Sequence, residues 1–413
     1  MNIIQTNNKV DRCIGITLFL MIWLPGFNYY LNQIVVSKLG LPSVSLLLYS
    51  LLLFFTFRST KYVIKEHMYS RIVARLILLL LTLTTFSFIL YFDVISIAFV
   101  SPDLNPIYSP VIYLLLFCLP ALIISNGCRD WSIVLQLLST FAPVVIATAF
   151  VAYFLSGFST YGDDVMDYMS LSYYLLTSSC VCIFNALSRH NIIHITSSFL
   201  AFFIIVAAGC RGALVCYFLF LFMSLYRQIR VDPNKNLSTL FIIVFVLALI
   251  ITFLGSALSI DFISNWFDLL GINSRAINMI IENSFFEDDA RQTIRDALST
   301  GLSDNPFGYS IFGDRYVNYK YYENTIEYAH NIIYEFWIQY GIFFGSFFLF
   351  TILYKTYKCL LLKYDLIIIK VLIIIIPYGL IRLFFSSTYI VDIEFFIILG
   401  ILFNNDSHNY EIS

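Results

Sequence analysis

Residues 71–92 read RIVARLILLLLTLTTFSFILYF. Arg71 and Arg75 open the stretch, and no acid or base follows them through Phe92. A helix needs about 20 mostly apolar residues to cross the hydrocarbon core. The stretch therefore predicts a membrane-spanning helix whose basic end lies among headgroups. Working outward, apolar runs between polar breaks predict further spans at 14–34, 41–57, 107–125, 132–156, 170–187, 193–208, 212–226, 237–257, 331–354, 366–385 and 389–404. The expected fold class is all-α: a polytopic integral membrane protein with about twelve transmembrane helices.

Composition agrees with this reading. Of 413 residues, 60% are hydrophobic and only 12% charged, and the mean hydropathy is +0.83. Soluble domains carry roughly 25% charged residues, so most of this surface must face lipid. A net charge of −2 supplies no basic footprint, and no nucleic acid partner is expected. The cysteines show no Cys-x-x-Cys or zinc-like spacing and read as small buried hydrophobes. The first apolar run leads into Pro25, Asn28 and Asn32 rather than a small-residue cleavage site, which predicts a retained span.

Lys and Arg in short loops set orientation. Arg58, Lys61, Lys65, Arg71 and Arg75 form one cluster, Arg227, Arg230 and Lys235 a second, and Lys355, Lys358 and Lys363 a third. Alternation of twelve spans puts all three clusters and both termini in the cytoplasm. The loops 93–106 and 157–169 then lie outside and carry acids but no Lys or Arg. One long loop, 258–330, also falls outside, with eleven acidic and five basic residues for a net of −6. The expected organisation is 1–257 for membrane helices one to nine, 258–330 for a large periplasmic loop, and 331–413 for the last three helices and a cytoplasmic tail. Within the loop, Ala290, Ile294, Ala297, Leu298, Gly301 and Leu302 repeat at helical spacing and predict a helix over 286–303, ended by Pro306 and Gly308. If that stripe docks on the membrane domain, Arg291 and Arg295, one turn apart at its edge, point along the docking seam.

Several ionisable residues stand at the outer mouth of the expected bundle. Arg211 lies in Gly209-Cys210-Arg211-Gly212, between two short spans; it reads as a ligand-binding arginine on a tight reversal or as one that snorkels to headgroups. Arg291 and Arg295 read as a charged docking edge or as a solvated face on which Glu287 pairs with Arg291. His330 is the one histidine expected on the outer face, since His67, His190, His194 and His408 fall on the other. It reads as a general base or as a polar helix start. Arg382 lies near the outer end of a span, where arginines usually face a bundle interior or an aqueous cavity.

Together these residues resemble the O-antigen polymerase and O-antigen ligase superfamily of bacterial inner membranes. Gly209-Cys210-Arg211-Gly212-Ala213-Leu214 is similar to that superfamily's arginine-centred hairpin. Ala290-Arg291-Gln292-Thr293-Ile294-Arg295-Asp296-Ala297-Leu298, with Asp304-Asn305-Pro306-Phe307-Gly308, resembles its loop helix and Pro-x-Gly end. Ala329-His330-Asn331, Glu335 and Tyr340-Gly341-Ile342 with Gly345 resemble its His-Asn segment. Arg295 departs from the pattern, which often has an aromatic residue there.

The resemblance implies a GT-C-like membrane glycosyltransferase working on the periplasmic face of the bacterial inner membrane. Its donor would be a glycan on undecaprenyl pyrophosphate, with no nucleotide sugar, ATP, cofactor or metal ion. The polymerase passes the glycan to the next lipid-linked repeat unit; the ligase passes it to lipid A–core. The Gly-x-Arg-Gly-Ala hairpin and the His-Asn-x-x-x-Glu segment favour the polymerase. The implied roles are pyrophosphate binding by Arg211 and Arg291, with Arg295 and Arg382 as further members, and catalysis by His330 with Arg211 and Arg291. A chain-length regulator is an implied partner. The rival class is a lipid-linked oligosaccharide flippase. Transporters of that kind place charges near the midplane and often show repeated halves, whereas these charges sit at one edge and no repeat is visible.

Overall fold

A computed structural model describes residues 2–92, 108–157, 167–189, 191–231, 289–322, 328–361 and 367–404. Every regular element among them is helical. The helices are α1 (Asn2–Asn32), α2 (Ser45–Lys65), α3 (Arg71–Leu90), α4 (Tyr108–Tyr113), α5 (Leu119–Gly127), α6 (Ser132–Leu155), α7 (Tyr168–Arg189), α8 (Ile192–Ala208) and α9 (Arg211–Val231). They continue as α10 (Asp289–Asp304), α11 (Gly313–Tyr321), α12 (Ile332–Tyr340), α13 (Ile342–Leu361), α14 (Ile367–Ile376) and α15 (Ile393–Leu402). Seven helical segments among the described residues are long and apolar enough to cross a membrane; α8 and α15 are shorter apolar helices. The chain is a polytopic membrane protein. The expected span 237–257 lies outside the described residues.

Sequence chemistry sets the helix starts. The Ser70 hydroxyl accepts the Val73 amide to cap α3, Asn191 caps α8 through the Ile193 amide, and Asp392 caps α15 through the Phe395 amide. One continuous core joins α1, α5, α6, α7, α8, α9, α14 and α15. Exposed side chains on α2, α3 and α13 are Leu46, Phe57, Ile89, Phe343 and Phe347, the apolar surface a lipid-facing helix requires. A smaller core of Ile294, Leu298, Leu302, Val317, Ala329 and Ile338 knits α10, α11 and α12 into a cap on one end of the bundle. The cap is anchored to α3, where Tyr91 stacks on Tyr316 at 4.6 Å and Ser87 donates to the Ser310 hydroxyl at 3.0 Å.

The opposite end gathers the basic clusters. Arg227 donates to the Leu360 carbonyl at 3.5 Å and Lys355 to the Leu402 carbonyl at 3.1 Å. Ser70, beside Arg71, donates to the Phe403 carbonyl at 3.1 Å. Three clusters far apart in sequence thus share one end of the molecule.

The expected loop helix, 286–303, is described from Asp289 and runs to Asp304; its stripe is buried at Ile294, Ala297, Leu298 and Leu302 as the spacing requires. One expectation about elements changes. The span expected at 331–354 is divided. Gly341, with φ +80 and ψ 159, ends α12, and α13 folds back on it so closely that a Cβ on Gly345 would stand 2.6 Å from the Phe336 carbonyl oxygen. The bend is filled by the Pro-x-Gly end of the cap helix. Tyr309 and Ser310 donate their amides to the Ile338 and Gln339 carbonyls at 2.6 and 2.9 Å, and Ile342 donates to Pro306 at 3.0 Å.

Gly341 lies in a backbone region open essentially to glycine alone, and a Cβ there would meet the Phe307 oxygen at 2.6 Å. Gly341→Ala is therefore expected to cost about 1–3 kcal/mol and to loosen the cap. A lower thermal midpoint in detergent and faster proteolysis within 289–322 would register this. The exposed control Ser299→Ala should leave both unchanged.

Candidate active site

The turn that follows α14 is where the three sequence motifs meet. The chain leaves α14 through a wide turn at Pro377–Ile381 and a 3₁₀ turn at Arg382–Phe384, bends through Ser387 at φ +72, and passes a second 3₁₀ turn at Tyr389–Val391 before α15. Backbone this irregular survives inside a membrane protein only when other protein groups satisfy it. Here the donors come from two of the motifs, and the third packs beside them. Arg291 donates from Nη1 to the Phe385 carbonyl at 2.5 Å. Asn331 donates to the Phe384 carbonyl at 2.9 Å while its own carbonyl caps α12 through the Ile333 amide. From the hairpin, Gly212 abuts the same turn: a Cβ on it would stand 3.4 Å from Phe385 Cβ and collide with the Tyr173 hydroxyl.

The hairpin is built for that approach. Gly209 ends α8 in a left-handed conformation, φ +79 and ψ 24, and its amide donates back to the Ile205 and Val206 carbonyls. Arg211 then starts α9, half-buried. Arg295 follows Arg291 by one turn of α10 and is also half-buried.

Arg382 is buried and its charge is engaged. It pairs with Asp392, lies 3.8 Å from the Tyr378 ring and 5.5 Å from the Tyr173 ring. Asp392 is fully occupied in turn, holding Arg382 with one oxygen and capping α15 with the other.

His330 has φ +54, rare for a residue with a side chain, and its ring packs on Tyr328 with centroids 3.9 Å apart. Burial pushes the Tyr328 hydroxyl above its ordinary value, against the pull of the Arg382, Arg291 and Arg315 guanidinium groups. Tyr328 therefore stays a neutral phenol within the field of three arginines, next to the imidazole.

Several parts were not singled out by sequence reasoning. The Phe384 and Phe385 carbonyls are backbone groups, and no side chain signals them. Glu335 was noted only as part of the His-Asn segment; it is fully buried and accepts from Thr388 Oγ1 and from the Tyr389 amide at 3.3 Å. Gln339 donates to Asp314 at 3.1 Å and accepts the Tyr389 hydroxyl at 2.5 Å. Asp314 and Arg315, adjacent and buried, were counted only in the charge of the long loop.

Chemically, the arrangement sets the guanidinium groups of Arg291 and Arg382 at one turn, with Asp392 already engaged by Arg382. Arginine forks hold phosphate oxygens bidentately and keep their charge at any working pH. Among the described residues no group of three or more His, Cys, Asp or Glu side chains is placed to hold a metal ion. No curated protein matches the chain. Residues 196–349, which hold all three motifs, match the family model described as O-antigen ligase.

Proposed function

We propose that the chain is a glycosyltransferase that polymerises glycan repeat units carried on undecaprenyl pyrophosphate, at the periplasmic face of the bacterial inner membrane. The observation that carries this reading is the meeting of Arg291, Asn331 beside His330, and Gly212 beside Arg211 on the single turn 384–385. Attack by a sugar hydroxyl on the anomeric carbon breaks the bond to the pyrophosphate, and negative charge grows on the leaving oxygens. Arg211 and Arg291 bind that pyrophosphate, Arg295 lies one turn along the same helix, and Arg382 lends its field from within the turn. His330 takes the proton of the acceptor hydroxyl.

The ligase reading is favoured by one observation, the match of residues 196–349 to a family described as O-antigen ligase. A deletion strain separates the two. Loss of a polymerase leaves a single repeat unit on the lipopolysaccharide core and removes the ladder. Loss of a ligase leaves the core bare while lipid-linked polymer accumulates. An unchanged ladder would defeat both.

The reading also needs the capped end of the bundle to face the periplasm, with both termini cytoplasmic. Gathering of the basic clusters at the opposite end supports this. In a cysteine-free background, Asp304→Cys and Asp163→Cys are expected to react with a membrane-impermeant thiol reagent in cells with a permeabilised outer membrane. Lys65→Cys and Asn234→Cys are not. Labelling at 234 without labelling at 304 would invert the orientation and remove the proposal.

A further inference from the structure

His330 is held in its left-handed conformation from both sides. On one side Asn331 is fixed to Phe384 and to the start of α12. On the other, the Ala329 amide donates to Asp314 Oδ2 at 3.1 Å. Asp314 is fully buried and is itself held: Arg315 Nη1 donates to both of its oxygens at 3.2 and 3.3 Å, and Gln339 donates to Oδ1 at 3.1 Å. Arg315, buried in turn, lies under Tyr328 at 6.0 Å, and the Tyr328 ring packs against His330 at a tilt of 37°. A positive φ at a residue with a side chain persists only where its surroundings over-determine it. Freed at Ala329, the 329–330 backbone can swing to an ordinary conformation and carry the imidazole away from its place beside Tyr328.

We propose that Asp314 is the positioning residue for His330: its carboxylate, by accepting the Ala329 amide, holds the backbone that presents the imidazole. The proposal rests on the reading of His330 as the group that acts on the glycan acceptor. It assigns Asp314 no contact with substrate. Arg315 serves as the counter-charge that lets a carboxylate sit in this dry place.

The test must separate positioning from folding, because removing Asp314 alone leaves Arg315 buried without its partner, a strongly destabilising state. Both variants are therefore made in an Arg315→Met background. Asp314→Asn keeps an oxygen to accept the Ala329 amide; Asp314→Leu keeps the shape and removes the acceptor. Turnover is measured in membranes supplied with lipid-linked glycan extracted from the deletion strain, and amide hydrogen exchange is followed over residues 328–331 of the purified full chain. Asp314→Leu is expected to speed exchange there and to lower kcat about 10²-fold, with KM and membrane abundance unchanged. Asp314→Asn should stay close to its Arg315→Met parent in both. Equal exchange in the two variants, or equal loss of turnover, would overturn the proposal. Full turnover by His330→Ala would instead remove the functional reading beneath it, and the exchange data tell the two failures apart.

Discussion

Arg211→Ala and Arg291→Ala are each expected to lower glycan transfer by about 10²–10³-fold while the protein inserts at its normal level. That is the usual loss when one preorganised contact to a developing negative charge is removed. Arg291 also donates to the Phe385 carbonyl at 2.5 Å, so truncation is expected to loosen the turn as well as the proposed hold on pyrophosphate. Lysine replacements distinguish the contributions. Arg291→Lys keeps a donor for that carbonyl and keeps the charge, but a point charge cannot make the bidentate fork, so rescue is expected to be poor. Recovery of most activity by lysine would assign Arg291 to the turn alone. Near-normal polymer from both alanine variants would leave two ordinary interfacial arginines.

His330→Ala is expected to slow transfer by about 10²–10⁴-fold, the range for a positioned general base, and so to reproduce the lipopolysaccharide pattern of the deletion strain. Its abundance should be unaffected, since the side chain packs on Tyr328 at the edge of the cap and not within its core. His330→Gln keeps hydrogen bonding without a base. If it retains full activity, the imidazole donates to phosphate and does not abstract a proton. A normal ladder from both variants would take His330 out of the chemistry altogether.

Much of this was legible in the sequence, for a simple reason. Lipid imposes a long apolar run on every spanning helix, and such runs survive any detail of packing. The helix at 289–304 was legible because its stripe of Ile294, Leu298 and Leu302 follows helical spacing and Pro306 ends it. The division at Gly341 was not. Residues 332–354 are mostly apolar, interrupted only by Glu335, Gln339, Ser346, Thr351 and tyrosines, and hydropathy does not register a change of direction. Gly308 and Gly341 lie in contact across the bend, a pairing that only the fold brings together.

The site divides the same way. Arg211, Arg291 and His330 stand out because a charge or an imidazole at a bundle's end calls for a reason. The turn that receives Arg291 and Asn331 offers acceptors from Phe384 and Phe385, whose side chains say nothing of their carbonyls. Asp314 was hidden for another reason: in an acidic loop one more acid reads as solvated. Its burial against Arg315, Gln339 and the Ala329 amide is a property of the cap's packing.

The most direct test of the central claim is extension of the lipid-linked glycan by the purified protein. Undecaprenyl-pyrophosphate-linked glycan extracted from the deletion strain would be mixed with protein in detergent or nanodiscs, with a chelator and without nucleotide sugar, ATP or an ion gradient. Products longer than one repeat unit, lost in Arg291→Ala and His330→Ala, are the predicted result. No extension by protein that restores the ladder in cells, or extension unaffected by both substitutions, would contradict the account.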